Sequence, residues 1–451
     1  DSDDCAPTSG FELGNAADNA QRCVDALKEQ GAEFIICLSH SGTDEKQKKS
    51  EDEQLAKKVD GIDLIVSGHT HTTLEEPILI GDTYIVSSGP YCENLGSVTF
   101  AWNGNGEGSK ELKEYKLIPI DENLSDNAEI AALAESWKSQ VSGAYLGRYN
   151  LSYDQVLTTS GFDMKTQKHG AHGGLALGEL AADAFLWAAT NLSGEGAVDN
   201  TVAVFADGVI RAPLYNGKIT VSEAFDVLSM GVGEDGTSGF PLVSCYLTGK
   251  ELKAAAEVHA SVTPIMPAAQ LYMSGMTYSF NTHRMFFNRV TKAQLQQPIF
   301  AAQVQQTQRI QDDQLYRVVT GMYSAQMLGT VKGLLSLVPK DENGQPITDF
   351  STRVLRDKSG NEIKEWYALA AYLSSVGKNG LPDWYAKPDG RKNVSHSWNP
   401  IELIKNPNLI TLAVLLILVL VVLLVVFLVR RIVGRKNHRR YGGGRRHGFR
   451  R

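Results

Sequence analysis

The chain has 451 residues, 43% of them hydrophobic and 21% charged, with a formal net charge of −7. That length exceeds one ordinary domain and suits two with sizeable cores, and the composition is that of a globular protein. Ten Lys or Arg residues follow Val429 with no acid among them, so the rest of the chain carries about −17, which argues against a nucleic-acid grip.

The chain opens Asp-Ser-Asp-Asp, without Met or an export signal, which implies processing or a longer parent. Ala16, Ala20, Cys23, Val24 and Leu27 fall on one helical face, and Gly31 ends that helix. Phe34-Ile35-Ile36-Cys37-Leu38 reads as a buried strand. A charged stretch follows, helical by Leu55 and Val59, with Glu51, Asp52 and Glu53 as a solvated helix start. A second apolar strand, Ile62 to Val66, completes a strand–helix–strand unit whose strands should be parallel. Shorter strands are expected near 83–88, 95–102 and 111–118. Residues 121–148 carry Ile130, Leu133, Ala134, Trp137 and Val141 at helical spacing, a linker helix between domains.

A second domain is expected over 149–375, with helices at about 176–190, 221–228, 249–259 and 362–375. Its strands are expected at 201–206, 271–280 and 315–320. Residues 376–408, rich in Gly, Pro, Asn and Trp, read as a juxtamembrane spacer. Leu409 to Val429 is apolar but for Thr411, and as a helix it spans roughly 32 Å, enough for a hydrocarbon core of about 30 Å. The basic tail 430–451, with its Gly442-Gly443-Gly444 run, would stay cytoplasmic and meet anionic lipid, leaving the preceding domains extracellular. The five cysteines (Cys5, Cys23, Cys37, Cys92, Cys245) have no metal spacing, and their odd number forbids complete internal pairing.

Three histidines carry the chemistry. His40 follows the first strand, and His69 and His71 follow the second in Ser67-Gly68-His69-Thr70-His71. Ligand sites of open α/β sheets collect at the carboxyl ends of strands, and imidazole suits Zn, Mn or Fe. In extended backbone His69 and His71 share a face, so both could reach one metal centre. His169-Gly170-Ala171-His172 has similar spacing but sits in a glycine-rich loop. The sequons at Asn123, Asn150, Asn191 and Asn393 say little about a host.

Ile35-Ile36-Cys37-Leu38-Ser39-His40-Ser41-Gly42, then Asp63-Leu64-Ile65-Val66-Ser67-Gly68-His69-Thr70-His71, resembles the calcineurin-type metallophosphoesterases of the 5′-nucleotidase family. Leu177-Gly178-Glu179-Leu180-Ala181-Ala182-Asp183-Ala184, Asp207-Gly208-Val209-Ile210-Arg211 and Tyr316-Arg317-Val318-Val319-Thr320 resemble motifs of its C-terminal domain. The resemblance covers about 10–375. It implies an α/β (α+β) fold: the C-terminal part of a metallophosphatase sandwich over 1–120, then a mixed α/β substrate-binding domain. It also implies two divalent metal ions, His40 and His69 on one and His71 on the other, in hydrolysis of nucleotide phosphate esters.

Arg211 and Gly208 would contact substrate; Asp183 is expected to be structural. The family's domains rotate about the linker helix to carry substrate to the metals. The family draws its bridging carboxylates from D-x-H, G-D and G-N-H segments upstream, which this chain lacks, so no catalytic residue is assigned and the chain alone is expected not to hydrolyse phosphate esters. The family's first base-stacking aromatic falls on Gln270, for which Tyr272 could substitute. Its second falls in Met327-Leu328-Gly329-Thr330-Val331, where the aromatic is gone and Tyr323 is near. A non-catalytic surface protein that binds a ligand is the rival reading, and a phosphoesterase for non-nucleotide substrates a third.

Overall fold

The computed structural model describes residues 14–101, 110–166, 174–266, 269–298, 300, 306–330 and 337–441. The chain divides into two compact units, 1–132 and 133–451. Helices and strands together make it a mixed α/β protein.

In the first unit, α1 (Ala16–Glu29) starts where the Asn15 side chain accepts from the amides of Ala17 and Asp18. Then come β1 (Ile36–Ser39), α2 (Glu51–Lys58), β2 (Leu64–Ser67), β3 (Ile78–Ile80) and β4 (Thr83–Val86). They form one sheet in the order β1-β2-β4-β3, parallel except for β3. Val24, Ile35, Ala56, Val59, Ile62, Ile65 and Ile85 make its core. The opposite face of β1 is open: Ile36 is 53% exposed and Leu38 83%. The strand expected to be buried therefore alternates, because only one of its faces is covered within this unit. A hairpin of β5 (Asn94–Ala101) and β6 (Glu111–Pro119) follows. Next is α3 (Ala128–Ala144), the expected linker helix, whose Ile130, Trp137 and Val141 are exposed. The boundary between the units falls inside it.

The second unit contains β7 (Val156–Ser160), α4 (Ala176–Asn191), β8 (Val202–Ala206), β9 (Gly217–Thr220), α5 (Val221–Val227), β10 (Leu242–Thr248) and α6 (Gly249–Val262). Helices α5 and α6 both start on capping boxes, Thr220 with Glu223 and Thr248 with Glu251. The single strand expected over 271–280 is two, β11 (Leu271–Ser274) and β12 (Met276–Asn281). Between them Gly275 has φ 86°, and a Cβ there would lie 2.6 Å from the Thr201 carbonyl. Then come β13 (Val290–Gln296), β14 (Thr307–Arg309), β15 (Leu315–Gly321), α7 (Met322–Thr330) and α8 (Glu365–Val376). The chain closes with β16 (Lys392–Ser395), α9 (Pro400–Ile404) and α10 (Leu409–Tyr441).

One sheet runs β10-β15-β8-β11 and another β14-β13-β12-β16, with β7 and β9 paired separately. Helices α4, α5 and α8 cover the larger core, built on Leu177, Phe185, Phe205 and Trp366. The stretch read as a spacer contributes β16, parallel to β12, and buries Arg391 and Lys392. Leu381 and Tyr385 of the same stretch are buried in the larger core, which composition does not reveal. Leu409–Arg431 within α10 is long and apolar enough to cross a membrane, and the helix runs past Val429 into the basic residues. The Gly442–Gly444 run and the His169–His172 loop lie outside the described residues.

Candidate active site at two strand tips

Register pairs Ser39 with Ser67, so β1 and β2 end side by side and the residues leaving them start as neighbours. His40 Nε2 and His69 Nδ1 are 3.4 Å apart, with their rings edge-on and centroids 5.0 Å apart. Gly68 permits this approach: a Cβ on it would lie 3.3 Å from His40 Nδ1.

The backbone of the second histidine motif departs from expectation. His69 and His71 are not extended; their φ angles are 66° and 53°. Tyr91 and Cys92 are also left-handed, at 58° and 57°, and the His71 ring packs edge-on against Tyr91 with centroids 5.5 Å apart. Non-glycine residues with positive φ are uncommon and gather at functional sites. The turn, and not strand alternation, sets where His69 and His71 point.

Sequence reasoning missed the residue that fixes these tips. Asp52, expected in a solvated helix start, is fully buried, and Glu53 is buried too. The Asp52 Oδ1 accepts from Ser39 Oγ at 2.5 Å; its Oδ2 accepts from Ser67 Oγ at 2.5 Å and from the Gly42 amide at 3.1 Å. One carboxylate thus ties β1, β2 and the loop after His40 together. The signal was available: serines one residue before His40 and two before His69, with an acid on the intervening helix.

Two bonds from a tetrahedral ion to imidazole nitrogens, each about 2.0–2.1 Å, leave the nitrogens roughly 3.3–3.4 Å apart. The His40–His69 pair has that spacing. Among the described residues, no three of His, Cys, Asp and Glu form a group that could hold a metal ion. The pair fits two donor positions of an ion, and the further ligands are not placed beside it.

In the second unit, the candidates gather where β8 ends. Tyr272 OH donates to Asp207 Oδ1 at 2.8 Å and accepts from Gln270 Nε2 at 2.6 Å. Both Tyr272 and Gln270 are buried. The Tyr272 ring packs on Gly178, where a Cβ would lie 2.5 Å away, and under Lys392 Nζ, 4.4 Å from its centroid. A ring so enclosed offers no open face to a base, contrary to the expected substitution. Arg211 is exposed and donates to the Gly208 carbonyl at 2.8 Å. Tyr323, on α7, stacks on Phe240 with centroids 5.8 Å apart. Behind the candidates, burial pushes the Glu179 carboxyl up to about 7 and the Lys392 ammonium down to about 7. Asp183 is structural in its contacts. It is fully buried and accepts from Arg391 Nη1 and Nη2 at 2.7 and 2.9 Å, from Tyr385 OH and from Ser274 Oγ.

Residues 132–332 match the family described as 5′-nucleotidase, C-terminal domain. The chain is 27% identical over 297 residues to the trifunctional nucleotide phosphoesterase protein YfkN of Bacillus subtilis, covering 65% of this chain and 18% of that protein. It is 25% identical over 328 residues to a 5′-nucleotidase of Diplobatis ommata, covering 68% of this chain and 52% of that one. The chain therefore spans about half or less of these relatives.

Among solved structures, a 5′-nucleotidase precursor from Thermus thermophilus aligns with TM-score 0.54 and 21% identity over 85% of this chain and 68% of its own. The sulfate thiohydrolase SoxB of the same organism aligns with TM-score 0.52 and 19% identity over 85% of this chain and 59% of its own. The shared fold thus houses more than one reaction, and chemistry must be argued from the site.

Proposed function

We propose that this chain is part of a metal-dependent phosphohydrolase acting on nucleotide phosphate esters outside the cell, anchored by α10. The observation that carries the reading is the His40–His69 pair, two exposed imidazoles 3.4 Å apart at parallel strand tips, inside a cluster of left-handed residues. The exposed Ile36 and Leu38 face supports it, since a second half of a sandwich would cover that side.

His40 and His69 would hold one divalent ion as neutral imidazoles, and His71 would face its neighbour. A bound ion pair supplies charge stabilisation and an activated water to displacement at phosphorus. Asp52 holds both histidine loops in place through its three accepted hydrogen bonds. The exposed Arg211 guanidinium would orient phosphate oxygens, a planar fork suited to two oxygens.

The test is an assay of the parent protein with Mn or Zn on AMP, other nucleotides and a sugar phosphate. His40→Ala and His69→Ala should each lower phosphate release by about 100-fold or more, since even losing a ligand's outer-shell support costs about 10–100-fold. The missing base-stacking face, Tyr272 being buried, favours a second reading over nucleotide turnover: a non-catalytic surface protein that binds some other ligand. No phosphate release from any of the compounds would leave that reading standing. Preference for the sugar phosphate over AMP would shift the substrate class.

A further inference from the structure

Helix α10 does not leave the second unit through a free tether. Asn408 accepts through Oδ1 from the amide of Thr411, at 2.9 Å, and donates from Nδ2 to the Phe287 carbonyl at 2.6 Å. Upstream, the buried Arg284 donates to the carbonyls of Glu402 and Lys405, the latter at 2.6 Å, and to that of Asn288. Asn281 Nδ2 donates to the Ser397 carbonyl at 2.9 Å. The same loop grips the end of α6: the Phe287 amide donates to Ser261 Oγ at 2.9 Å, and Arg289 to the Ala260 carbonyl at 2.8 Å. The end of α6, loop 281–289, α9 and the first turn of α10 are one hydrogen-bonded assembly.

That assembly carries large apolar side chains in the open. Ile265 is 73% exposed, Trp398 71% and Ile401 73%, with Met266 and Ile404 also exposed. Ile404 stands five residues before Leu409, the first residue of the membrane-length run. Five residues reach at most about 17 Å, so α9 cannot lie far from where that run begins. Trp is enriched at membrane interfaces, where its ring is half-solvated, and clustered exposed apolar residues mark an interaction surface.

We propose that this assembly is a base on which the second unit rests against the bilayer, its apolar residues entering the headgroup region beside α10. The inference rests on the membrane-anchored reading above. The domain is thereby held in one orientation to the membrane, and it does not swing on a flexible stalk.

The full chain would be reconstituted in phosphatidylcholine vesicles containing a photoactivatable lipid, and lipid adducts mapped by mass spectrometry. Adducts are expected on 264–266 and 398–404 as well as on α10. Adducts on α10 alone would overturn the base while leaving the anchor intact; adducts on neither would overturn both. Arg284→Gln, which frees α9 from the loop, should lose the label at 264–266 and keep it on α10. Since Arg284 is buried, Ile265→Asp at the exposed turn is the second variant: it too should lose the 264–266 label. Unchanged labelling there in a folded protein would contradict the proposal.

Discussion

Each unit ties distant segments together through a buried carboxylate on a helix, but the two are answered by different chemistry. Asp52 accepts from two serine hydroxyls and one amide, all neutral donors. Asp183 accepts from both terminal nitrogens of Arg391, which also engages Asp389. The neutral clasp holds short loops beside exposed imidazoles. The charged clasp joins a helix to the residue just before β16, 208 residues further along the chain, and is buried. Hydroxyl clasps adjust a site, whereas a guanidinium clasp closes a fold, because removing a paired charge strands its partner in the interior.

The largest expected effect breaks the charged clasp. Arg391→Ala leaves Asp183 and Asp389 buried without their counter-charge and should destabilise the second unit by about 3–5 kcal/mol. Chemical denaturation followed by tyrosine and tryptophan fluorescence measures it. Arg391→Lys should recover part of the loss, one ammonium replacing a bidentate fork. A loss under about 1 kcal/mol would mean that the two clasps do not differ in kind.

What the sequence disclosed follows the same division. The parallel pair β1 and β2, α4 and the meeting of His40 with His69 at the strand tips were legible because apolar periodicity and motif spacing are local. Asp183 was legible as structural, but its partner was not, since nothing near Arg391 in sequence points back to α4. Strands β13 and β14 escaped because Ala293 and Leu295 are the only apolar residues between Lys292 and Gln296 and β14 is the polar Thr307-Gln308-Arg309; β13 is held by pairing with β12 and β14 by pairing with β13. Nor could motif spacing foretell the left-handed backbone at His69 and His71, a conformation that neighbouring packing must impose.

A third buried carboxylate sharpens the comparison because it has neither clasp. Glu365, at the first turn of α8, is fully buried with no hydrogen-bond partner on either oxygen among the described residues. It lies over Gly321, where any Cβ would collide with Oε1. Burial pushes its carboxyl from 4.5 up to about 8. The folded state then keeps a proton that the unfolded chain releases, so this group makes stability fall as pH rises from about 4.5 to about 8. Glu365→Gln should remove that fall, with little difference at about pH 4 and a gain on the order of 2–3 kcal/mol at about pH 8. Denaturation curves of both proteins across that window check it. A constant offset at every pH would show that the carboxyl is not the titrating group.

The smallest effect should come from the neutral clasp, and it should appear in two readouts. Asp52→Asn keeps the volume but offers one carbonyl oxygen where two carboxylate oxygens now accept three hydrogen bonds. The stability cost should be about 1–2 kcal/mol in a thermal melt, the scale of buried hydrogen-bonding groups left imperfectly paired. The geometric cost falls on the histidines, because Ser39 precedes His40 directly and Ser67 lies two residues before His69. Zinc affinity of the parent protein should drop about 10–100-fold, the scale set by losing support behind a metal ligand. Ser39→Ala and Ser67→Ala should each give part of that drop. If Asp52→Asn melts early yet binds zinc as the parent does, the clasp serves the fold of the first unit, and the contrast with Asp183 collapses to one of strength alone.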